Sequence, residues 1–198
     1  IEALDADVVG LMEIENSAAL GEQTDEATAA LVSALNAASE EDRWAYVVSS
    51  PELPPVSEQD VITNAIIYRP AKVSPVGAAR ALGDQSGDDE AFGNAREPIG
   101  QVFQPADDGE PFLFVVNHFK SKGSAGPWPG DADTGDGQGA SNESRVRQAM
   151  ALRDWVNARQ VQVGRTDQLM AELQTFASPD LSMLSVANRR LKDLAGLA

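Results

Sequence analysis

A glutamate and the sole histidine of the chain occupy segments whose composition predicts strands. His118 ends the apolar segment FLFVVNHF, and Glu13 interrupts the strand-length apolar run VVGLMEI. A carboxylate inside a buried strand costs several kcal/mol unless something compensates its charge. Three explanations are open for Glu13: an exposed strand end, an arginine partner, or a divalent cation such as magnesium or calcium, which prefers oxygen ligands.

Polar and basic residues surround His118 at the end of its predicted strand. Asn117 and Lys120 place a hydrogen-bond donor and a positive charge there. This combination suits an anionic phosphate oxygen, and an imidazole can give or take a proton near neutral pH. The alternative is a histidine that only makes a structural hydrogen bond.

Two further segments carry charged groups that could bind a ligand. Arg96 lies where a loop changes into a predicted strand, and its planar guanidinium could bind phosphate or pair with a nearby carboxylate such as Glu97. The run DADTGDG at 131–137 alternates acids and glycines like a calcium loop, but its spacing differs from that of an EF-hand. We expect a solvated turn there, with calcium binding as the alternative.

Composition excludes several classes of protein. The 198 residues include 31 acidic and 15 basic side chains, no cysteine, and a formal net charge of -16. Thiol nucleophiles, disulfide scaffolds and cysteine-ligated zinc sites are excluded, and the negative charge alone opposes binding to a polyanion. A bound divalent cation would reverse that effect locally. The apolar stretches have strand length, which argues against stable membrane insertion.

Hydrophobic periodicity predicts a mixed α/β fold whose sheet is largely antiparallel. A long glycine-rich loop is expected over 120–142. Strands are predicted at 7–14, 44–49, 62–68, 73–76, 99–104 and 112–118, and helices at 24–38, 142–160, 166–176 and 180–195.

Six segments, in this order along the chain, resemble motifs of the endonuclease/exonuclease/phosphatase superfamily, and the bacterial secreted nucleases are the most similar type. The resemblance spans about residues 1–156. It implies an incomplete deoxyribonuclease-like four-layer sandwich with a helical C-terminal tail. The segments are 4–13, 65–70, 96–98, 117–123, 135–139 and 142–146.

The resemblance also implies a role for each candidate residue. Glu13 would ligate magnesium or manganese, His118 would face the scissile phosphate, and Asp60 would orient that histidine. The remaining candidates, Arg96, Asn117 and Lys120, would bind the substrate. The implied activity is metal-dependent phosphodiester hydrolysis of extracellular DNA or RNA by a secreted or cell-surface nuclease.

Two alternatives to a nuclease are open. A sphingomyelin-type phosphodiesterase would use Trp128, between two prolines, to contact a membrane. A noncatalytic calcium- or partner-binding fragment would instead dock through its helical tail.

The C-terminal part of the chain departs from this superfamily. The expected Gly-Asp-x-Asn motif and the closing Asp-His pair do not occur, and residues 180–187 resemble the end of large bacterial glutamate dehydrogenases. We therefore expect a truncated, fused or frame-altered chain, with a partial nuclease-like domain at 1–160 and a helical tail of other origin at 161–198. Activity should then be strongly reduced or absent, because groups that act as a unit fail together.

Overall fold

A computed structural model describes residues 1–39, 42–107 and 109–175, with side chains described as far as residue 159. This part of the chain contains six strands and two helices of more than one turn. They are β1 (Val8–Glu15), α1 (Glu26–Ser39), β2 (Ala45–Tyr46), β3 (Ile62–Tyr68), β4 (Val73–Ala81), β5 (Arg96–Pro105), β6 (Phe112–His118) and α2 (Asn142–Thr175).

The strands form two antiparallel sheets of three strands each. Sheet A has the order β1-β3-β2, and sheet B has the order β4-β5-β6. In sheet A, β1 runs antiparallel to β3, with Val8 opposite Tyr68 and Glu15 opposite Ile62. In sheet B, β5 lies between its two neighbours and pairs Phe103 with Phe112 near one end.

The two sheets pack face to face around an apolar core. Ile66 from sheet A contacts Ile99, Phe103 and Val116 from sheet B in one buried cluster. The sheets approach so closely at Gly10 of β1 that a Cβ atom there would lie 3.0 Å from a methyl carbon of Val116. Burial of these branched and aromatic side chains is the main stabilising contribution to the sandwich.

Helix α1 covers the other face of sheet A. Val32 and Leu35, on one face of the helix, pack with Trp44 and Ile67 in a second apolar cluster. At the N-terminus of α1, the Oγ of Ser17 accepts the hydrogen bond from the backbone N–H of Ala27 at 3.0 Å. A residue ahead of the helix therefore satisfies a free N–H of the first turn, because the chain folds back there.

The C-terminal helix differs from the sequence prediction. One continuous helix runs from Asn142 to Thr175, whereas the sequence predicted separate helices over 142–160 and 166–176. The gap between the two predicted helices contains Gly164, and one glycine within a long helix costs only about 1 kcal/mol. The predicted helix at 180–195 lies outside the described residues. The chain divides into two compact units, Ile1–Arg153 and Asp154–Ala198.

The fold class is confirmed in its coarser form. The described residues form a mixed α/β fold with two antiparallel three-stranded sheets and two helices. The four-layer deoxyribonuclease-like sandwich is not confirmed, since the described layers are α1, sheet A and sheet B. Among the described helices, none combines the length and the apolar character needed to cross a membrane.

Candidate functional site

Four of the six candidate residues lie at the end of the two sheets where β1 and β6 finish and β5 begins. Arg96 is directly opposite His118 in the first residue pair of β5 and β6. Glu13 lies near the end of β1, in the other sheet. Two chain irregularities, one in each sheet, turn these side chains toward each other.

The first irregularity is a β-bulge in β1. Leu11 pairs with Ala65 and Ile14 pairs with Thr63, so Met12 and Glu13 together face the single residue Asn64. Glu13 has a φ of 58°, in the left-handed region that costs a non-glycine residue about 1–2 kcal/mol. Such strain often marks a functional position, where the surrounding structure maintains an unfavourable backbone conformation.

The second irregularity is a bulge in β5. Arg96 pairs with His118 and Ile99 with Val116, so Glu97 and Pro98 together face Asn117. Proline cannot donate a ladder hydrogen bond, and bulges are among the few places where a sheet accepts it. Glu97 is buried, and its carboxylate accepts a hydrogen bond of 2.7 Å from the hydroxyl of Ser86.

The two bulges bring an acid and an imidazole together across the sheets. Oε1 of Glu13 lies 3.8 Å from Nε2 of His118, and the two side chains are 70% and 21% exposed. This separation is too long for a direct hydrogen bond. Among the described residues, no hydrogen-bond partner reaches the buried Nδ1 of His118.

Arg96 and Asp60 form an ion pair beside this acid and imidazole. The Nη2 of Arg96 lies 2.9 Å from Oδ2 of Asp60. Asp60 was predicted to orient His118. In the structure its carboxylate pairs with Arg96, the residue opposite His118 in the pair of strands β5 and β6. We call Glu13, Asp60, Arg96 and His118 the Glu13–His118 site.

Asn117 and Lys120 are placed differently from these four residues. Alternation along β6 puts His118 on the same face as Val116, which lies in the core between the sheets, so Asn117 is on the opposite face. Lys120 follows the strand, and its backbone N–H donates to Oε1 of Gln148 at 2.9 Å. The structure therefore does not bring the side chain of Asn117 to the Glu13–His118 site.

A buried polar network anchors the long loop that follows β6. Asp131 is fully buried and accepts hydrogen bonds from the backbone N–H and the hydroxyl of Ser144, at 2.7 and 2.6 Å. Burial raises the pKa of Asp131, but the hydrogen bonds from Ser144 and from the backbone of Trp128 outweigh it, and the pKa lies below its usual value. Asp131 thus caps α2 from outside the helix.

The acidic run at 131–137 makes turns of its own backbone. Asp133 and Asp136 each accept a hydrogen bond of 2.9 Å from the backbone N–H two residues later. Both oxygens of Asp131 are already bonded to Ser144. In the described part of the chain, no three acidic, histidine or cysteine side chains are grouped so that they could hold a metal ion.

Trp128, the residue considered for membrane contact, packs against its own chain. The guanidinium of Arg147 lies 3.9 Å from the centre of the Trp128 ring, a cation–π contact. Arg147 also pairs with Glu143 at 2.6 Å. This contact and the half-buried position of the indole stabilise the loop against α2.

Sequence reasoning missed Asn64 and Pro98 as residues that shape the site. A signal was present for each residue. Pro98 lies directly before the strand predicted at 99–104, and Asn64 is a polar residue inside the apolar run ITNAIIY. Their importance depends on which residues face them in neighbouring strands, which the sequence pattern does not specify.

Comparison with known proteins gives one family match. The model described as glutamate dehydrogenase, C-terminal, matches residues 139–193, a little more than a quarter of the chain. No curated protein and no solved structure matches the chain. The match includes the segment 180–187, whose resemblance to large bacterial glutamate dehydrogenases was noted from the sequence.

This match corrects the superfamily and the function that the sequence resemblance implied. The family match is to a dehydrogenase segment and not to the endonuclease/exonuclease/phosphatase superfamily, so the expected nuclease or phosphodiesterase activity was wrong. Short motifs such as a Glu at a strand end and Asn-His near another strand occur in many folds, which is why the resemblance misled. The geometry of the Glu13–His118 site stands independently of that resemblance.

Proposed function

We propose that the Glu13–His118 site binds a divalent cation together with a phosphate group. The observation that carries the proposal is the left-handed backbone of Glu13, which puts its carboxylate 3.8 Å from the imidazole of His118. A relaxed, extended residue at this position would avoid the strain. A ligand that interacts with both side chains would account for the strained arrangement.

The donor set favours magnesium or manganese over calcium. Glu13 offers an exposed carboxylate, and His118 offers one ring nitrogen. Magnesium keeps several waters and is commonly held by one or two carboxylates plus a phosphate, whereas calcium requires six to eight oxygen ligands. Manganese also accepts a mixed set of carboxylate and imidazole ligands. The residues therefore fit a weakly held, hydrated Mg²⁺ or Mn²⁺ at Glu13.

Arg96 supplies the interaction with the anion. Its side chain is 20% exposed, and Asp60 holds the guanidinium from one side at 2.9 Å. The fork-shaped guanidinium has five donors, so the pair with Asp60 leaves donors for a phosphate. The cation is needed because the chain carries a net charge of -16, which repels anions unless a bound metal offsets it locally.

The phosphate could belong to a small molecule or to a nucleic acid. Binding of DNA or RNA stays a prediction. Secretion or a cell-surface location likewise stays a prediction. Three probes distinguish the sources: inorganic phosphate, a mononucleotide, and a short single-stranded DNA or RNA. A nucleic acid should bind more tightly than the mononucleotide only if further residues contact its backbone.

Isothermal titration calorimetry with Mn²⁺ alone, followed by phosphate, tests the proposal. We expect wild type to bind Mn²⁺ and to bind phosphate more tightly once Mn²⁺ is present. Glu13→Gln should abolish Mn²⁺ binding, and Glu15→Gln, an exposed acid on the same strand, should leave it unchanged. Equal Mn²⁺ affinity in Glu13→Gln and wild type would refute the proposal.

The family match supports a second candidate for the C-terminal segment. We propose that residues 139–193 belong to a protein that oxidises glutamate, because that segment matches the C-terminal glutamate dehydrogenase model. The test is glutamate-dependent reduction of a nicotinamide cofactor by the full chain. No reduction above the protein-free control would exclude this activity for the 198-residue chain.

A further inference from the structure

Asn64 occupies a position between the two bulges. It is the one residue of β3 that faces Met12 and Glu13 across the bulge in β1. Its side chain is in the interior, and the residue is only 2% exposed. Asn64 is therefore a buried neighbour, in the adjacent strand, of the strained segment that carries Glu13.

The amide of Asn64 bonds to the second bulge, in the opposite sheet. Its Nδ2 donates a buried hydrogen bond of 2.9 Å to the backbone carbonyl of Glu97. Glu97 is the first residue of the bulge in β5 and follows Arg96, the residue opposite His118. One side chain thus links the bulge that carries Glu13 to the bulge beside Arg96 and His118.

If stability alone mattered, asparagine would be a poor residue at position 64. Among the described residues, the Oδ1 atom of Asn64 has no hydrogen-bond partner and is buried. An unsatisfied buried acceptor is destabilising, and asparagine is a poor strand residue compared with valine. An aliphatic side chain would fill the position without either cost, but it could not hold the Glu97 carbonyl.

We propose that Asn64 is a positioning residue that keeps the carboxylate of Glu13 and the imidazole of His118 in register by joining the two bulges. Its role as part of a ligand site rests on the function proposed above. The geometric claim concerns only the distance between Glu13 and His118. It can therefore be tested without any ligand.

The unique histidine makes the ligand-free test direct. Because His118 is the only histidine, its imidazole gives a single set of ring signals in a proton–carbon NMR spectrum. In the wild-type background, Glu13→Gln should shift these signals, since the carboxylate lies 3.8 Å from Nε2. In an Asn64→Val background the same substitution should shift them much less, because the two groups have moved apart.

Gln101 provides a matched control. It is also a buried amide opposite a strand irregularity, and its Nε2 donates to the carbonyls of Val76 and Val102 at 3.1 and 2.8 Å. Gln101 belongs to the same sheet as His118, and within the described part of the chain its side chain makes no hydrogen bond to the Glu13–His118 site. Gln101→Leu should lower stability and leave the response of His118 to Glu13→Gln unchanged.

Binding of Mn²⁺ provides the second readout. Paramagnetic Mn²⁺ should broaden the His118 signals of wild type and of Gln101→Leu. At equal metal concentration, the broadening of the His118 signals in Asn64→Val should be at least tenfold smaller. If Asn64→Val does not fold, Asn64→Ala, which removes the donor with less crowding, takes its place. Urea denaturation of each variant shows which ones are folded.

The outcomes separate this inference from the proposed function. If wild type binds no Mn²⁺ but the His118 response to Glu13→Gln still depends on Asn64, the positioning role stands and the cation proposal fails. If the His118 signals respond to Glu13→Gln equally in the wild-type and Asn64→Val backgrounds, Asn64 does not position the two groups and the inference is overturned.

Discussion

Replacing Glu13 by glycine should stabilise the fold while removing the side chain proposed to bind the cation. Glu13 has a φ of 58°, and a left-handed conformation costs a residue with a Cβ atom about 1–2 kcal/mol. Glycine adopts this conformation freely but loses about 0.5–1 kcal/mol more backbone entropy on folding. The difference predicts a free energy of unfolding that is about 0.5–1 kcal/mol higher in Glu13→Gly than in wild type.

Glu15→Gly is the matched control for this prediction. Glu15 is exposed on the same strand and pairs regularly with Ile62, so glycine there relieves no strain. Its entropic cost should lower the free energy of unfolding by about 0.5–1 kcal/mol. The free energies of unfolding of the two glycine variants should therefore differ from each other by about 1–2 kcal/mol, with Glu13→Gly above wild type and Glu15→Gly below it.

Urea denaturation followed by circular dichroism measures both variants. A change in the midpoint at constant slope reports a change in stability. If both variants lose the same stability, Glu13 is not strained in solution, and the argument that its backbone is held for a ligand is refuted. Mn²⁺ titration of the same samples should show binding in Glu15→Gly and none in Glu13→Gly.

Two further predictions concern the anchor of the long loop. Asp131→Asn should lower the free energy of unfolding at neutral pH by about 1–3 kcal/mol, because the new NH₂ group cannot accept the bonds from Ser144 and Trp128. The pKa of Asp131 is depressed below 3.8 in the folded state, so its stabilising contribution is present above that value and is lost as the pH falls through the folded pKa. The difference between wild type and Asp131→Asn should accordingly narrow below about pH 4 in acid denaturation, and a constant difference would contradict the assignment. Gly126→Ala should also destabilise, by about 1–3 kcal/mol, since its Cβ would lie 2.3 Å from Oδ2 of Asp131. Gly123→Ala, whose Cβ would meet no atom closer than 3.9 Å, should leave the thermal midpoint nearly unchanged.

The secondary structure was largely predictable because local patterns report it. The strands β3 and β6 have the predicted bounds, since their apolar runs are strand-length and end at polar or turn-forming residues. The segment predicted as a strand at 44–49 forms a ladder only at Ala45–Tyr46. The strand predicted at 73–76 extends to Ala81, because its partner β5 continues the hydrogen-bond ladder past the glycine. A neighbouring strand thus overrides local propensity.

The positions of the site residues were predictable only in part. Glu13 and His118 stand out in the sequence because each is an ionisable residue at the end of an apolar strand. The pairing of Asp60 with Arg96 could not be read in the same way, since these residues are far apart in the chain and lie in different elements. The resemblance that assigned Asp60 to His118 was transferred from a superfamily that the family match does not support.

The amino-acid pattern was sufficient for the mixed α/β class, the antiparallel pairing and the negative net charge. Periodicity and composition are local properties, and they decide which face of a strand is buried. The two bulges, the left-handed backbone of Glu13 and the bond from Asn64 to Glu97 arise from the register between strands and the packing of one sheet on the other. Register is a relation between distant segments, so it becomes defined only when the sheets assemble.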